Sequence, residues 1–305
     1  MIWLIIACLL WGPSFGLVPI LLGKYGMNPQ TLAVLRMGYA LLLFLPMMRP
    51  RKYLPSKRWA LVALGGLQFG AMYLTLFFAY RFLEGYEVAL VTIFTPLYVS
   101  ILGCLFDRGD LKLRPLLCVL AAVLGAGLVK YARPPEAEGF WIGFAIMQAC
   151  NLCFASGQIL YRKLMRHTVR FEDAHVFGWL YLGALAVTLV GWWTTGNPVD
   201  SFHLLRTLPL SGWGIVLWLG LVPSGLAFFL FNHGALNVDA HTLAIVNNLK
   251  IPIALLIALL IFRQRDTIAD WPRFLAGSLL MLGALWWHTH PRRTPKSTAE
   301  SPTVS

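Results

Sequence analysis

Charged residues are scarce in this sequence. They make up 12% of its 305 residues, hydrophobic residues make up 58%, and the mean hydropathy is +0.68. In a soluble domain about a quarter of the residues are charged, and a chain of this length cannot enclose so large an apolar core. The composition therefore excludes a soluble globular protein and predicts a polytopic membrane protein.

Cysteines and catalytic motifs are also few. The five cysteines are odd in number and lie in apolar segments, which excludes a disulfide framework, and the single CxxC, Cys150 with Cys153, is assigned to helix packing. The sequence has no HExxH, GxSxG or P-loop motif. Asp266 and Asp270 are similar to half of a metal-binding prenyltransferase motif, but a second aspartate cluster is missing. The sequence therefore predicts no enzyme, no metal site and no cofactor, and an intramembrane enzyme is the least favoured alternative.

Apolar segments near the length of a membrane span are abundant. A transmembrane helix needs about 20 such residues. Ten segments qualify, near 2–22, 29–48, 59–80, 87–106, 114–131, 140–161, 174–195, 212–231, 241–262 and 272–288. The net charge of +12 lies in the short loops between them, as topology signals do, and does not indicate nucleic-acid binding. Loops on one side hold about twice as many Lys and Arg residues as loops on the other, which predicts that both termini are cytoplasmic.

The two halves of the chain resemble each other. The stretch AYRFLEGYEVALVTIFTP, which ends at Pro96, aligns without a gap with ALNVDAHTLAIVNNLKIP, which ends at Pro252. Because each half has an odd number of spans, the second copy must be inverted, and inverted repeats with a site near the bilayer midplane are typical of secondary transporters. We predict an all-α protein of ten transmembrane helices, with a first five-helix repeat over 1–131, an inverted second repeat over 132–290 and a disordered cytoplasmic tail over 291–305.

One predicted span is unusual because polar residues lie near its centre. The segment VDAHTLAIVNNLKIPIALLI holds Asn247, Asn248 and Lys250. A charge in mid-span is costly and usually serves function, so Lys250 and Asn247 are predicted to offer a cation and an amide to an anionic ligand. The structural alternative is that Lys250 snorkels or pairs with Glu87.

Prolines at matching places predict two broken helices. Pro96 and Pro252 each remove the hydrogen bond to the carbonyl four residues earlier, that of Thr92 or Asn248, and bend the helix. In hydrocarbon a freed carbonyl needs a partner or a water-lined cavity. We therefore predict that the two broken helices face each other across a central cavity.

Polar and aromatic residues of several spans are predicted to converge on this cavity. With Asn247, Asn248 and Lys250, the predicted substrate-binding residues are Arg36, Gln68, Tyr73, Glu87, Thr92, Thr95, Tyr98, Gln148, Asn151, Asn232, Trp11, Phe154 and Trp179. A lone intramembrane Asn often only bridges helices, so the convergence from several spans is what favours a site. The stretches GGLQFG and WGPSFG each contain a GxxxG spacing, which predicts close helix contact.

These motifs resemble a known family. The five-plus-five spans, WGPSF in the first span and the ALxxxxA…P phrase of each half resemble the EamA-type drug/metabolite transporter superfamily over roughly residues 1–290. Within that superfamily the sequence is most similar to bacterial biotin transporters of the YigM type. The similar phrases are FTPLY, the pair Gln148 and Asn151, WLYLGA and, most specifically, VDAHTLAIVNN.

The resemblance implies a secondary transporter of the bacterial inner membrane that imports biotin by alternating access. The carboxylate of biotin would bind Lys250 or Arg36, its ureido group would bind amide and hydroxyl side chains, and Trp11 and Phe154 would contact its apolar parts. An exporter of amino acids or other small carboxylate or amine metabolites is the alternative, with Glu87 available for the amine. The other expected partners are membrane lipid and a coupling proton or ion, and uncoupled transport stays open.

Overall fold

The described parts of the protein are helical. The structure is a computed structural model that describes residues 1–49, 55–106, 113–131, 139–166, 173–236, 253–254, 257–261 and 268–289. In chain order its helices are α1 (Ile2–Lys24), α2 (Pro29–Met47), α3 (Pro55–Ala79), α4 (Gly85–Val91), α5 (Phe94–Phe106), α6 (Leu113–Tyr131), α7 (Phe140–Arg166), α8 (Asp173–Thr195), α9 (Pro198–Thr207), α10 (Leu210–Leu236), α11 (Ile257–Ile261) and α12 (Trp271–Thr289). No strand occurs in these ranges, and the predicted helical class is confirmed for them.

Within the described ranges, six helices are long and apolar enough to cross a membrane. They are α1, α2, α3, α7, α8 and α10. The fourth predicted span is divided into α4 and α5, the fifth and tenth correspond to α6 and α12, and most of the ninth lies outside the described residues. The ten-span arrangement of two repeats and the tail over 291–305 therefore stay predictions.

Three of the long helices contain a wide, π-helical turn. These turns cover Ile20–Lys24 in α1, Gly66–Ala71 in α3 and Gly220–Leu226 in α10. The third contains Pro223, which has no N–H to donate, so the regular ladder of α10 cannot continue through it. Such turns expose backbone carbonyls inside a helix and are frequent at functional sites.

Glycines allow α3 and α8 to cross in close contact. A methyl group added at Gly65 would lie 1.9 Å from the carbonyl oxygen of Leu180, and one added at Gly183 would lie 1.8 Å from that of Val62. At Gly70 the added carbon would lie 2.8 Å from Cβ of Val187. The close contact predicted from GGLQFG is therefore confirmed, and α8 is the helix that these glycines contact.

A short helix lies where the sequence indicated only a connecting loop. In α9 the Asn197 side chain accepts a hydrogen bond from the amide of Asp200, and Pro198 occupies the first turn. Asp200 at the start and Arg206 near the end have the charges that favour the two ends of a helix dipole. The helix is too short and too polar to produce an apolar span, so a search for spans overlooks it.

Aromatic rings fill the space between α2, α3, α8 and α10. The Phe69 ring stacks on Tyr181 with centroids 5.3 Å apart and lies 4.9 Å from Phe228. The ring centroid of Phe44 on α2 lies 5.7 Å from that of Tyr181 on α8. This cluster fixes the positions of α3 and α10, which supply several side chains of the site described next.

Candidate functional site

A cavity lies between α1, α2, α3, α7, α10 and the gap that separates α4 from α5. We call it the central cavity, and its volume is about 80 Å³. The predicted site residues that line it are Trp11, Arg36, Tyr73, Thr92, Thr95, Asn151 and Phe154. The structure thus brings seven of the predicted residues together in a space with aromatic walls and a few polar groups, which is the usual composition of a small-molecule site.

Arg36 places a cation in this cavity. Its Nε donates a hydrogen bond to Oγ of Ser224 at 2.7 Å, and its Nη2 donates to the Tyr73 hydroxyl at 2.9 Å. The guanidinium carbon also lies 4.6 Å from the centre of the Tyr73 ring and 5.2 Å from that of Phe77. The side chain is 2% exposed, and within the described part of the chain its partners are all neutral. A guanidinium has five N–H donors, so donors remain for an anionic ligand.

The Ser224 hydroxyl joins three helices at this cation. It lies 3.1 Å from the Tyr73 hydroxyl, and the two groups share Arg36 between α2, α3 and α10. The Ser224 carbonyl in turn accepts a hydrogen bond from the hydroxyl of Tyr181 on α8. These contacts fix the guanidinium in one orientation before any ligand arrives.

Trp11 is fixed by a hydrogen bond to the π-helical turn of α10. Its indole Nε1 donates a hydrogen bond to the carbonyl of Pro223 at 2.9 Å. Its ring also packs against Phe228 and Phe231, with centroid distances of 4.8 and 4.9 Å. Phe154 reaches the same Phe228 ring at 5.7 Å. The two predicted aromatic walls of the site are thus linked through Phe228, which the sequence analysis did not select.

The predicted helix break before Pro96 is present, but the predicted free carbonyl is wrong. The helix α4 ends at Val91 and α5 begins at Phe94. The Thr92 carbonyl, predicted to be freed, accepts a hydrogen bond from the amide of Thr95 at 3.0 Å because the chain tightens at that turn. The carbonyl of Val91 instead accepts from Nδ2 of Asn151 on α7, also at 3.0 Å.

Hydroxyl and amide groups at this break keep hydrogen-bonding capacity. Thr95 donates its hydroxyl proton to Oδ1 of Asn151 at 3.0 Å, and Thr92 donates its own to the Ala89 carbonyl at 2.7 Å. Each hydroxyl oxygen can still accept a bond, and the Asn151 amide has one more N–H and one more lone pair. A ligand with both donors and acceptors therefore matches this wall.

Comparison with known proteins identifies the family. The model of the EamA-like transporter family matches residues 1–131. The biotin transporter of Escherichia coli (strain K12) is 36% identical over 93% of this chain and 91% of its own length. This chain belongs to the EamA-like transporter family. The probable biotin transporter of Pseudomonas aeruginosa is likewise 36% identical, over 95% of this chain and 98% of its own length.

The family assignment gives the class of activity. A solved crystal structure covers 94% of this EamA-like chain and 95% of its own with a TM-score of 0.62, and at 18% identity it shows a shared fold. Family and apolar helices together identify a multi-pass membrane transporter for a small molecule. The prediction that the protein is a transporter and not an enzyme is confirmed by the named relatives.

Three predicted site residues form contacts outside the central cavity. The Tyr98 hydroxyl donates to Oε1 of Gln148 at 3.0 Å, which ties α5 to α7. Glu87 is fully buried, and its carboxylate accepts from the amide of Glu84 at 2.9 Å, so it caps the start of α4. None of the three belongs to the described lining of the cavity.

Three more predicted residues are buried or half-buried elsewhere. Gln68 is fully buried in the π-helical turn of α3, and Asn232 is 1% exposed in α10. Trp179 on α8 is half-buried, and the guanidinium carbon of Arg58 lies 5.6 Å from its ring. Each of them has a packing environment, but none belongs to the described lining of the central cavity.

The remaining predictions fall on undescribed parts of the chain. Asn247, Asn248, Lys250 and Pro252 lie outside the described residues. Their proposed place across the cavity from the α4–α5 break stays a prediction. Among the residues that the structure does describe, no group of His, Cys, Asp or Glu could hold a metal ion.

Ser224, Tyr181 and Phe228 were not among the residues predicted from the sequence. The signal that could have found Ser224 is the proline directly before it, inside an otherwise regular apolar span. The same reasoning from a mid-span proline was applied to Pro96. Tyr181 and Phe228 carry no such signal, because one span alone does not show which helix a side chain faces.

Proposed function

We propose that this protein imports biotin across the bacterial inner membrane as a secondary transporter that works by alternating access. The single observation that carries the proposal is Arg36, a buried cation that lines the central cavity and has only neutral partners in the described chain. A buried charge in a membrane protein usually serves binding or transport. The relatives named biotin transporters supply the identity of the carboxylate.

Biotin matches the cavity in three respects. Its carboxylate pairs with the free N–H groups of Arg36, whose planar fork suits a carboxylate. Its ureido ring both donates and accepts hydrogen bonds, as do Thr95 and Asn151 at the α4–α5 break. Its thiophane ring and valeryl chain are apolar, and Trp11 and Phe154 offer aromatic surface for them.

The finer architecture belongs to the same proposal. Ten spans form two inverted repeats over 1–131 and 132–290, the cavity lies at their interface near the bilayer midplane, and both termini face the cytoplasm. Asn247, Asn248 and Lys250 extend the polar lining from the second repeat. A coupling proton or ion drives net import.

The test is uptake of labelled biotin by a biotin-auxotrophic host that carries the full chain. Competition with biotin and with its methyl ester measures how strongly the carboxylate is recognised. Arg36→Met should weaken the acid by roughly ten- to hundred-fold, since a charge-assisted hydrogen bond contributes about 1.5–3 kcal/mol, and should leave the ester almost unaffected. Arg36→Lys keeps the charge and should retain part of the preference for the acid.

The ratio between the affinities for biotin and for its methyl ester decides the outcome. Because both ligands meet the same variant, a partial loss of folded protein cancels in the ratio. An unchanged ratio in Arg36→Met would remove Arg36 from the carboxylate site. The amino-acid exporter alternative needs an acidic group for the amine, but no acidic residue is found in the described lining and Glu87 caps α4. Competition by amino acids in place of biotin would nevertheless favour it.

A further inference from the structure

A second cavity lies beyond the central one. It has a volume of about 430 Å³ and is lined by the end of α1, the start of α2, the residues after α3 and the helix α9. We call it the outer cavity. All four of its lining segments belong to loops or helix ends that the distribution of basic residues predicts to be periplasmic. Its polar lining residues include Asn28, Arg81, Asn197 and Asp200.

One residue lines both cavities. In the described chain the two linings share Tyr80 and no other residue. Its neighbours on one side, Tyr73 and Phe77, line the central cavity, and Arg81 on the other side lines the outer cavity. Arg36 also lines the central cavity, so Tyr80 borders the same space as the proposed carboxylate site. Tyr80 thus borders both spaces.

Tyr80 is placed where a side chain can change position. It directly follows the last residue of α3, Ala79, and it begins a turn that runs through Phe82. Among the described residues no hydrogen bond holds its hydroxyl, whereas the Tyr73 hydroxyl at the same cavity has two polar partners. A rotation of Tyr80 therefore breaks no hydrogen bond of the described chain.

We infer that the outer cavity is the outer part of the substrate path and that the Tyr80 side chain is the partition which a ligand must pass to reach Arg36. The inference rests on the proposed transport function for its direction. The outer cavity is large enough for a small organic ligand. Tyr80, which was not among the predicted site residues, thereby receives a role in transport. The ligand class is the same amphipathic carboxylate.

A thiol that already lines the central cavity can report on the partition. Cys150 belongs to that lining and is 4% exposed. We would add a membrane-impermeant methanethiosulfonate reagent to right-side-out vesicles that contain the full chain. Tyr80→Ala should accelerate modification of Cys150 at least about tenfold, which corresponds to a tenfold larger open fraction. Tyr80→Phe keeps the ring and should react close to the wild-type rate.

Matched variants separate the partition from general loosening. Leu204→Ala truncates a side chain that lines the outer cavity alone, and it should leave the Cys150 rate unchanged. In the Tyr80→Ala protein, the additional substitution Cys150→Ser measures how much reagent reacts with the other cysteines. If Tyr80→Ala does not insert stably, Tyr80→Leu serves as a milder truncation with a smaller acceleration.

The outcomes are distinct from those of the uptake test because labelling needs no substrate. Equal Cys150 rates in all Tyr80 variants would overturn the inference, and so would an equal acceleration by Leu204→Ala. Acceleration seen only in inverted vesicles would overturn the periplasmic placement of the outer cavity. Selective acceleration from the outside would support the partition even if biotin uptake itself were absent.

Discussion

Buried side-chain amides have two different environments in this protein. The Asn151 amide binds at both ends, its oxygen to Thr95 and its nitrogen to the Val91 carbonyl. The Gln68 amide is fully buried, and among the described residues neither its oxygen nor its nitrogen has a hydrogen-bond partner. A buried polar group without a partner lowers stability, and native proteins retain such groups mainly where function uses them.

We therefore predict opposite effects of removing the two amides. Gln68→Met keeps the volume and removes the unpaired group, so it should raise the free energy of unfolding by about 1–3 kcal/mol while it lowers transport. Asn151→Leu leaves the Val91 carbonyl unpaired and should lower stability by a similar amount. Melting temperatures in detergent and uptake in cells measure both effects. A less stable Gln68→Met protein would show that the amide has a partner in the folded state.

At the residue scale, the sequence predicts which types of residue form a site better than it predicts whether their side chains face the cavity. Arg36, Thr95 and Asn151 were selected because polar groups are rare in spans, and all three line the central cavity. Glu87 was selected on the same ground, yet its carboxylate caps the start of α4. Both roles bury a polar group in an apolar segment, so the spacing along one helix cannot separate them. The contact with a second helix decides between them.

At the scale of elements, the crossing of α3 and α8 depends on the absence of side chains. Gly65 faces the carbonyl of Leu180, and Gly183 faces the carbonyl of Val62, so each glycine makes room for the backbone of the other helix. The same α3 carries Tyr73 to Arg36, and α8 carries Tyr181 to Ser224. A shift at the crossing therefore moves two contacts of the central cavity.

Two glycine substitutions should differ because their surroundings differ. Gly183→Ala places a methyl group 1.8 Å from a backbone oxygen, so the helices must separate and stability should fall by about 1–3 kcal/mol. Gly214→Ala in α10 has nothing within 4 Å of the added carbon. It should be neutral or should stabilise by up to about 1 kcal/mol through helix propensity. Thermal unfolding in detergent compares the two, and equal effects would contradict the tight crossing.

At the scale of the whole molecule, the sequence predicted where helices lie but not how they join. Apolar length located α1, α2, α3, α7, α8 and α10 to within a few residues, because lipid requires near-continuous apolar helices. It could not locate the short polar α9, which forms part of the outer cavity. It also could not foresee that Ser224 and Tyr73 meet at Arg36, since that contact depends on how separate helices pack.

The orientation of the chain in the membrane gives the last prediction. With the N-terminus in the cytoplasm, the end of α1, the residues after α3 and the helix α9 must share the periplasmic side, and the structure gathers all three around the outer cavity. Arg51 should then face the cytoplasm, because its loop is rich in basic residues. In a cysteine-free background, Arg51→Cys should react with an impermeant thiol reagent in inverted vesicles and Asp200→Cys in right-side-out vesicles. If residues 51 and 200 react from the same side, two inverted repeats of five spans are excluded, and the outer cavity can no longer be the entrance for the proposed import of biotin.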